Sequence, residues 1–209
     1  MLRIHNFARG ARGLRVMWQC EEMGLPYQVA LVSYPPAHAY RALNPLGTVP
    51  FLEDDGGVGI SESVAMLFYL AQRYGPTPLL PGSADARLAR VLQLTELGEA
   101  TLGAHLNTLL AARFAAPEAE RRNWSVRAQE ERAARVLQFL AGLLGGQAFL
   151  GGDLLTLADI SVSPMLGIWN GVLGQALPGG LSGYLERVTA RPAYRQASQR
   201  CAGSAAGSI

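Results

Sequence analysis

The chain contains no lysine. All 18 of its basic residues are arginine, set against 16 acidic residues for a formal net charge of +2. That surplus is too small for the electrostatic footprint of a nucleic-acid-binding surface, and no nucleic-acid partner is expected. Cysteine is nearly absent. Cys20 and Cys201 stand near opposite ends of 209 residues, with no CxxC and no Cys/His cluster. This argues against a disulfide scaffold, a dithiol redox centre and a metal site. Reduced thiols in a cytoplasmic protein are the expectation. No apolar run approaches the roughly 18 residues that a membrane helix needs. The first residues, MLRIHNFARGARG, lack the apolar core and small-residue cleavage site of a secretory signal.

What is present is ordinary globular material, 49% hydrophobic and 16% charged, with 24 glycines. Such a length suits one large domain or two small ones. Leu2 to Phe7 reads as a strand, Gly10 and Gly13 as a turn, and Leu14 to Met23 as a helix with apolar residues at helical spacing. Gly24 ends that helix. Tyr27 to Val32 reads as a second strand, which completes a βαβ unit with parallel strands and a right-handed crossover. A proline-rich connection follows, with one helical turn near Ala39 to Leu43. Val49 to Glu53 and Val58 to Ser61 flank Asp54-Asp55-Gly56-Gly57, a strong hairpin signal. Ser63 to Tyr74 then reads as a helix.

The βαβ-ββα order predicts an α/β thioredoxin-like domain over residues 1–75, with a mixed four-stranded sheet. Residues 76–84 are the linker, since GPTPLLPGS is dense in proline and glycine. Residues 85–209 read as an all-α helical bundle domain. Its long helices run from Asp85 to Phe114, Val126 to Leu144 and Leu157 to Trp169, and two shorter ones fall between Leu181 and Arg200. The tail AGSAAGSI is expected to fray.

Two features carry chemistry. Val49-Pro50 opens the first hairpin strand. A proline cannot donate to a sheet ladder, and a cis bond there would turn the Val49 backbone toward a peptide ligand that pairs as an added strand. The alternative is an ordinary trans proline opening a strand. Glu62-Ser63 begins the next helix. Helix N-termini attract carboxylates, the Ser63 hydroxyl adds a hydrogen bond, and Glu62 can accept from an ammonium group. The pair therefore suits an α-amino acid head. The alternative is a plain N-cap at Ser61 or Ser63. Thr156 and Asp159 have capping-box spacing, a folding feature.

Asn44-Pro-Leu-Gly-Thr-Val-Pro50 followed by Glu62-Ser-Val-Ala resembles the NPxGxVP…ESxAI pattern of cytosolic glutathione transferases. Leu14-Arg-Val with Glu22-Met-Gly-Leu-Pro-Tyr27 resembles that family's first helix and second strand. Thr156-Leu-Ala-Asp159-Ile resembles its helical-domain capping box. The resemblance spans roughly residues 2 to 195. It implies that glutathione binds as a co-substrate along Val49 and Pro50, with its γ-glutamyl end on Glu62 and Ser63 and its glycine carboxylate near Thr48 or Arg41. A hydrophobic small-molecule co-substrate would lie near His105 and Trp169. It also implies a homodimer, a detoxifying role, and no tightly bound cofactor.

The thiol-activating group departs from the pattern. A thiol of pKa about 8.5 must be held as thiolate, and the family uses Tyr, Ser or Cys for this. Ile4 to Leu14 contains none of them, and the positions expected to hold serine or cysteine carry Gly10 and Arg12. Arg12, aided by backbone N–H groups near Gly10, is the expected substitute. Asn6 could donate but lies earlier, and Arg12 could instead be solvated or bind the glycine carboxylate. The reading is a glutathione transferase. Its alternatives are a glutathione-dependent disulfide reductase or peroxidase, or a non-catalytic glutathione-binding module. Cys20 reads as a core thiol and Cys201 as an inert thiol in the tail.

Overall fold

A computed structural model describes residues 1–203 of the chain. The chain divides into two compact units, Met1–Thr77 with the segment from Thr189 onward, and Pro78–Val188. The expected fraying of the tail falls mainly on residues 204–209, outside the described residues.

In the first unit, strands β1 (Leu2–Asn6), β2 (Tyr27–Leu31), β3 (Phe51–Asp54) and β4 (Val58–Ser61) form one sheet in the order β2-β1-β3-β4. β1 runs parallel to β2 and antiparallel to β3, and β3 pairs antiparallel with β4. Helices α1 (Ala11–Met23), α2 (His38–Leu43) and α3 (Ser63–Arg73) complete the βαβ-ββα order. Ile4 and Leu52 of the sheet, Val16, Met17 and Trp18 of α1, and Met66, Leu67 and Leu70 of α3 are fully buried. Each such side chain contributes roughly 1.5–3 kcal/mol. α1 stops where expected. Gly24 takes φ 65°, and its N–H caps the Cys20 and Glu21 carbonyls, a conformation that a Cβ would disfavour.

The second unit is helical. α4 (Leu88–Glu96) and α5 (Ala104–Phe114) are joined through a π-wound stretch, Leu97–Gly103. The expected single long helix is therefore continuous from Leu88 to Phe114 but changes locally to the wider π winding. α6 (Trp124–Leu144) starts on Asn123, whose side chain accepts from Val126 N–H. α7 (Leu157–Gly167) carries Pro164 inside it and runs into a second π-wound stretch, Ile168–Val172; α8 spans Leu181–Thr189.

The final helix, α9 (Pro192–Cys201), belongs to the first unit, so the helical unit is narrower than the expected domain of residues 85–209. α9 packs along α1. Arg191 forms a two-pronged pair with Glu22 at 2.6 and 2.7 Å, and Tyr194 meets Trp18 edge-on at 5.1 Å. Arg200 reaches Glu21 at 3.2 Å. Cys201 is correspondingly a buried residue of α9 and not a tail thiol.

Among the described residues, no helix is long and apolar enough to cross a membrane. None of their His, Cys, Asp and Glu side chains form a group of three able to hold a metal ion.

Candidate functional site

Register decides what stands together. His5 of β1 lies opposite Phe51 of β3, and Phe51 lies opposite Ser61 of β4. This row marks one end of the sheet. Just beyond it come the turn after Asn6, the Val49-Pro50 pair before Phe51, and Glu62-Ser63 after Ser61. Opposed strands are about 5 Å apart, so three sequence segments spaced widely along the chain converge at one edge.

The Val49-Pro50 bond is cis. The β3 ladder begins at Phe51, so Val49 lies outside it. The loop before it is held from behind. Asn44, buried, donates from Nδ2 to the Thr48 carbonyl at 2.8 Å, and the Tyr40 hydroxyl donates to the same carbonyl at 2.5 Å. Thr48 is exposed, and Val49 is half-buried. Arg41 is exposed on α2, and its guanidinium lies over Gly47, where a Cβ would come within 3.1 Å of it.

Glu62 is the N-cap of α3, and no side chain caps that helix end. Its backbone has φ 69° and ψ 109°, a conformation that costs a non-glycine residue on the order of 1–3 kcal/mol. Its own side chain is exposed. Ser63 is the first helical residue rather than the cap, and it is 2% exposed. Its hydroxyl accepts from Arg15 Nη1 at 3.0 Å. Arg15 is fully buried on α1. Sequence reasoning missed this residue, although a charge inside the apolar stretch Leu14 to Trp18 was a signal. The site therefore presents an open helix end, a buried serine whose hydroxyl proton remains to donate, and a buried cation behind it.

At the turn, Gly10 is the N-cap of α1, again with no side-chain cap, and Arg12 is the second residue of the helix, half-buried. Gly10 N–H donates to the Phe7 carbonyl at 3.0 Å, and Arg9 N–H donates to the Cys201 carbonyl at 2.8 Å. Arg9 has φ 61°. Asn6 is 1% exposed, and its Nδ2 donates to the Gly10 carbonyl at 3.3 Å and to Cys201 Sγ at 3.5 Å. Among the described residues Asn6 Oδ1 has no hydrogen-bond partner, an omission that costs roughly 1–3 kcal/mol. The other thiol, Cys20, is fully buried, and burial pushes its pKa up to about 12, which leaves it protonated and inert.

The remaining two expected residues belong to the helical unit. His105 is half-buried, with Nδ1 2.7 Å from Gln129 Oε1. Trp169 is 5% exposed, and its indole N–H donates to the Ala176 carbonyl at 2.9 Å.

The family model described as glutathione S-transferase, N-terminal domain, matches residues 12–73, and the one described as glutathione S-transferase, C-terminal domain, matches residues 105–192. The chain is 32% identical over 212 residues to the maleylacetoacetate isomerase of Pseudomonas aeruginosa, covering 94% of this chain and 95% of that protein. It is 37% identical over 82 residues to glutathione S-transferase 3 of Schizosaccharomyces pombe, spanning about a third of that protein, 32% of its length. The crystal structure of the theta class glutathione S-transferase from Xanthomonas axonopodis pv. citri, with glutathione bound, superposes with a TM-score of 0.80. It is 28% identical, and the match covers 94% of this chain and 96% of that one. Both the helix–sheet order and these matches lead to one assignment: the chain belongs to the cytosolic glutathione S-transferase superfamily.

Proposed function

We propose that the protein binds glutathione at the sheet edge beyond the His5–Phe51–Ser61 row and transfers its thiolate to a hydrophobic electrophile. The observation that supports this most strongly is the convergence of Val49, the open N-terminus of α3, and the turn at Gly10 on that one edge. In this reading the Val49 backbone pairs with the cysteinyl unit as an added strand. The γ-glutamyl carboxylate lies on the α3 N-terminus, where the helix dipole and the Ser63 hydroxyl receive it, and its ammonium meets Glu62. Thr48 and Arg41 are assigned to the glycine carboxylate.

Arg12 and the first-turn N–H groups of α1 then stabilise the thiolate, in the place where the family pattern implies a hydroxyl or thiol. His105 and Trp169 are assigned to the hydrophobic co-substrate. A homodimer in the cytoplasm, with no tightly bound cofactor, follows from the family resemblance.

The absence of Tyr, Ser and Cys from Ile4 to Leu14 supports a second reading on the same site, glutathione-dependent disulfide or peroxide reduction. Isomerisation is the chemistry named for the Pseudomonas aeruginosa relative. Steady-state assays of an aryl halide, a hydroperoxide, a glutathione mixed disulfide and a cis-enone, each with glutathione, separate these reactions. Conjugation of the aryl halide is the expected outcome. Turnover of none of the four would leave only a binding module.

A further inference from the structure

Gly10 is where a thiol-activating hydroxyl is missing, and the surroundings of its backbone explain why. Three donors converge on the Gly10 carbonyl: Leu14 N–H at 3.1 Å, Asn6 Nδ2 at 3.3 Å and Cys201 Sγ at 3.5 Å. The neighbouring Arg9 N–H is tied to the Cys201 carbonyl at 2.8 Å. Across a trans peptide the N–H points opposite to the C=O. A Gly10 carbonyl held toward Asn6 and Cys201 therefore turns the Ala11 N–H away from that buried side. Ala11 is the first residue of α1, a position whose N–H has no intrahelical acceptor.

Space makes the same point. A Cβ built on Gly10 would stand 2.7 Å from Asn6 Oδ1, and one built on Gly13 would stand 2.2 Å from Asn6 Cγ. Asn6 cannot swing aside without releasing both the Gly10 carbonyl and Cys201 Sγ, because its Nδ2 donates to each. Its Oδ1 stays buried and unpartnered among the described residues, so the amide is held there despite an unmet hydrogen bond.

We propose that Asn6, clamped by Cys201 of the last helix, is the positioning residue of the thiol-activating turn. It aims the Ala11 N–H at the glutathione sulfur and excludes a side chain from position 10. The inference rests on the proposed binding of glutathione at this edge. A hydroxyl at position 10 and an amide at position 6 are then mutually exclusive solutions, and α9 is part of the activating device rather than a terminal brace.

The test is a spectrophotometric titration of the thiolate of bound glutathione on the full chain, with glutathione affinity and the melting temperature measured alongside. Asn6→Ala is expected to raise the pKa of the bound thiol by about one unit, with about tenfold lower turnover below pH 8. Glutathione affinity should stay within about threefold, because the groups assigned to the γ-glutamyl end are untouched. Cys201→Ala should raise the pKa by a smaller amount, and Cys201→Ser should retain more of the shift because it keeps a donor. Gly10→Ser alone should lose stability and turnover, whereas Asn6→Ala combined with Gly10→Ser should regain a lowered thiol pKa.

A bound thiol that titrates identically in the natural chain and in Asn6→Ala overturns this inference alone. So does a Gly10→Ser variant as active as the double variant. If Asn6→Ala does not fold, Cys201→Ala decides: an unchanged thiol pKa there overturns the proposal. A natural chain that binds no glutathione, or leaves its thiol at the free value, overturns the proposed function and this inference with it.

Discussion

The N-termini of α7 and α3 differ in what fills them. At α7, Thr156 and Asp159 form a complete capping box. The Asp159 carboxylate also accepts from Leu150 N–H at 2.8 Å and the Tyr184 hydroxyl at 2.9 Å, all in full burial. Burial raises the Asp159 pKa and outweighs the hydrogen bonds that lower it. That helix end has spent its positive field on a side chain of its own, and its purpose is to hold the helical unit together. At α3 no side chain caps the helix, Glu62 is held at φ 69°, and the one buried hydroxyl is backed by Arg15. α1 is likewise open at Gly10. A filled end is structural, whereas an open end that faces a sheet edge is suited to a ligand's anion.

The sharpest way to break this contrast is Asp159→Ala. It strands the buried donors of Leu150, Thr156 and Tyr184, and should cost about 3–5 kcal/mol in chemical denaturation. The folded fraction should bind glutathione normally; weakened binding by folded protein would erase the contrast. Next in size is Arg12→Ala, expected to lower turnover about a hundredfold while glutathione affinity stays within a few-fold. Unchanged turnover would remove Arg12 from the chemistry. Ser63→Ala should weaken glutathione binding roughly tenfold by calorimetry and shift the melting temperature by only a few degrees. The opposite pattern, a large melting shift with intact affinity, would make Ser63 a structural partner of buried Arg15 and not a ligand contact.

The smallest effect concerns Asp54, which lies at the other end of the hairpin from the proposed site. It accepts from Tyr69 at 2.8 Å, from Tyr74 at 2.7 Å and from Asp55 N–H at 2.7 Å. Burial pushes its pKa up, but these hydrogen bonds together bring it below the usual value. A lowered pKa stabilises the folded state above the ordinary carboxylate range, and that contribution fades as pH falls through the folded value. Asp54→Asn should therefore cost about 1 kcal/mol at neutral pH, and the gap from the natural chain should narrow in acid. A gap that widens in acid would reverse the sign of the argument.

The segments that meet at the candidate site could be read from the sequence because their signals are local. Pro50 follows a loop motif, Glu62-Ser63 opens a helix, and the Asp54 to Gly57 hairpin fixes their common edge. What the sequence hid depends on long-range packing. Arg15 is buried because α3 places Ser63 beside it, 48 positions away. Cys201 meets Gly10 from 191 positions away because α9 folds back on α1. No periodicity reports either contact. Asn6 was visible as a polar residue ending a strand, yet its proposed role depends on the two glycines against which it packs.

The comparison of filled and open helix ends is tested most directly by measuring the affinity of the natural chain for glutathione and for cysteinylglycine, which lacks the γ-glutamyl head. Removing that head should weaken binding by about a hundredfold or more, as expected for losing a charge-assisted carboxylate contact at a helix N-terminus together with the ammonium contact to Glu62. Equal affinity for the two would show that the open end of α3 is not where glutathione is held.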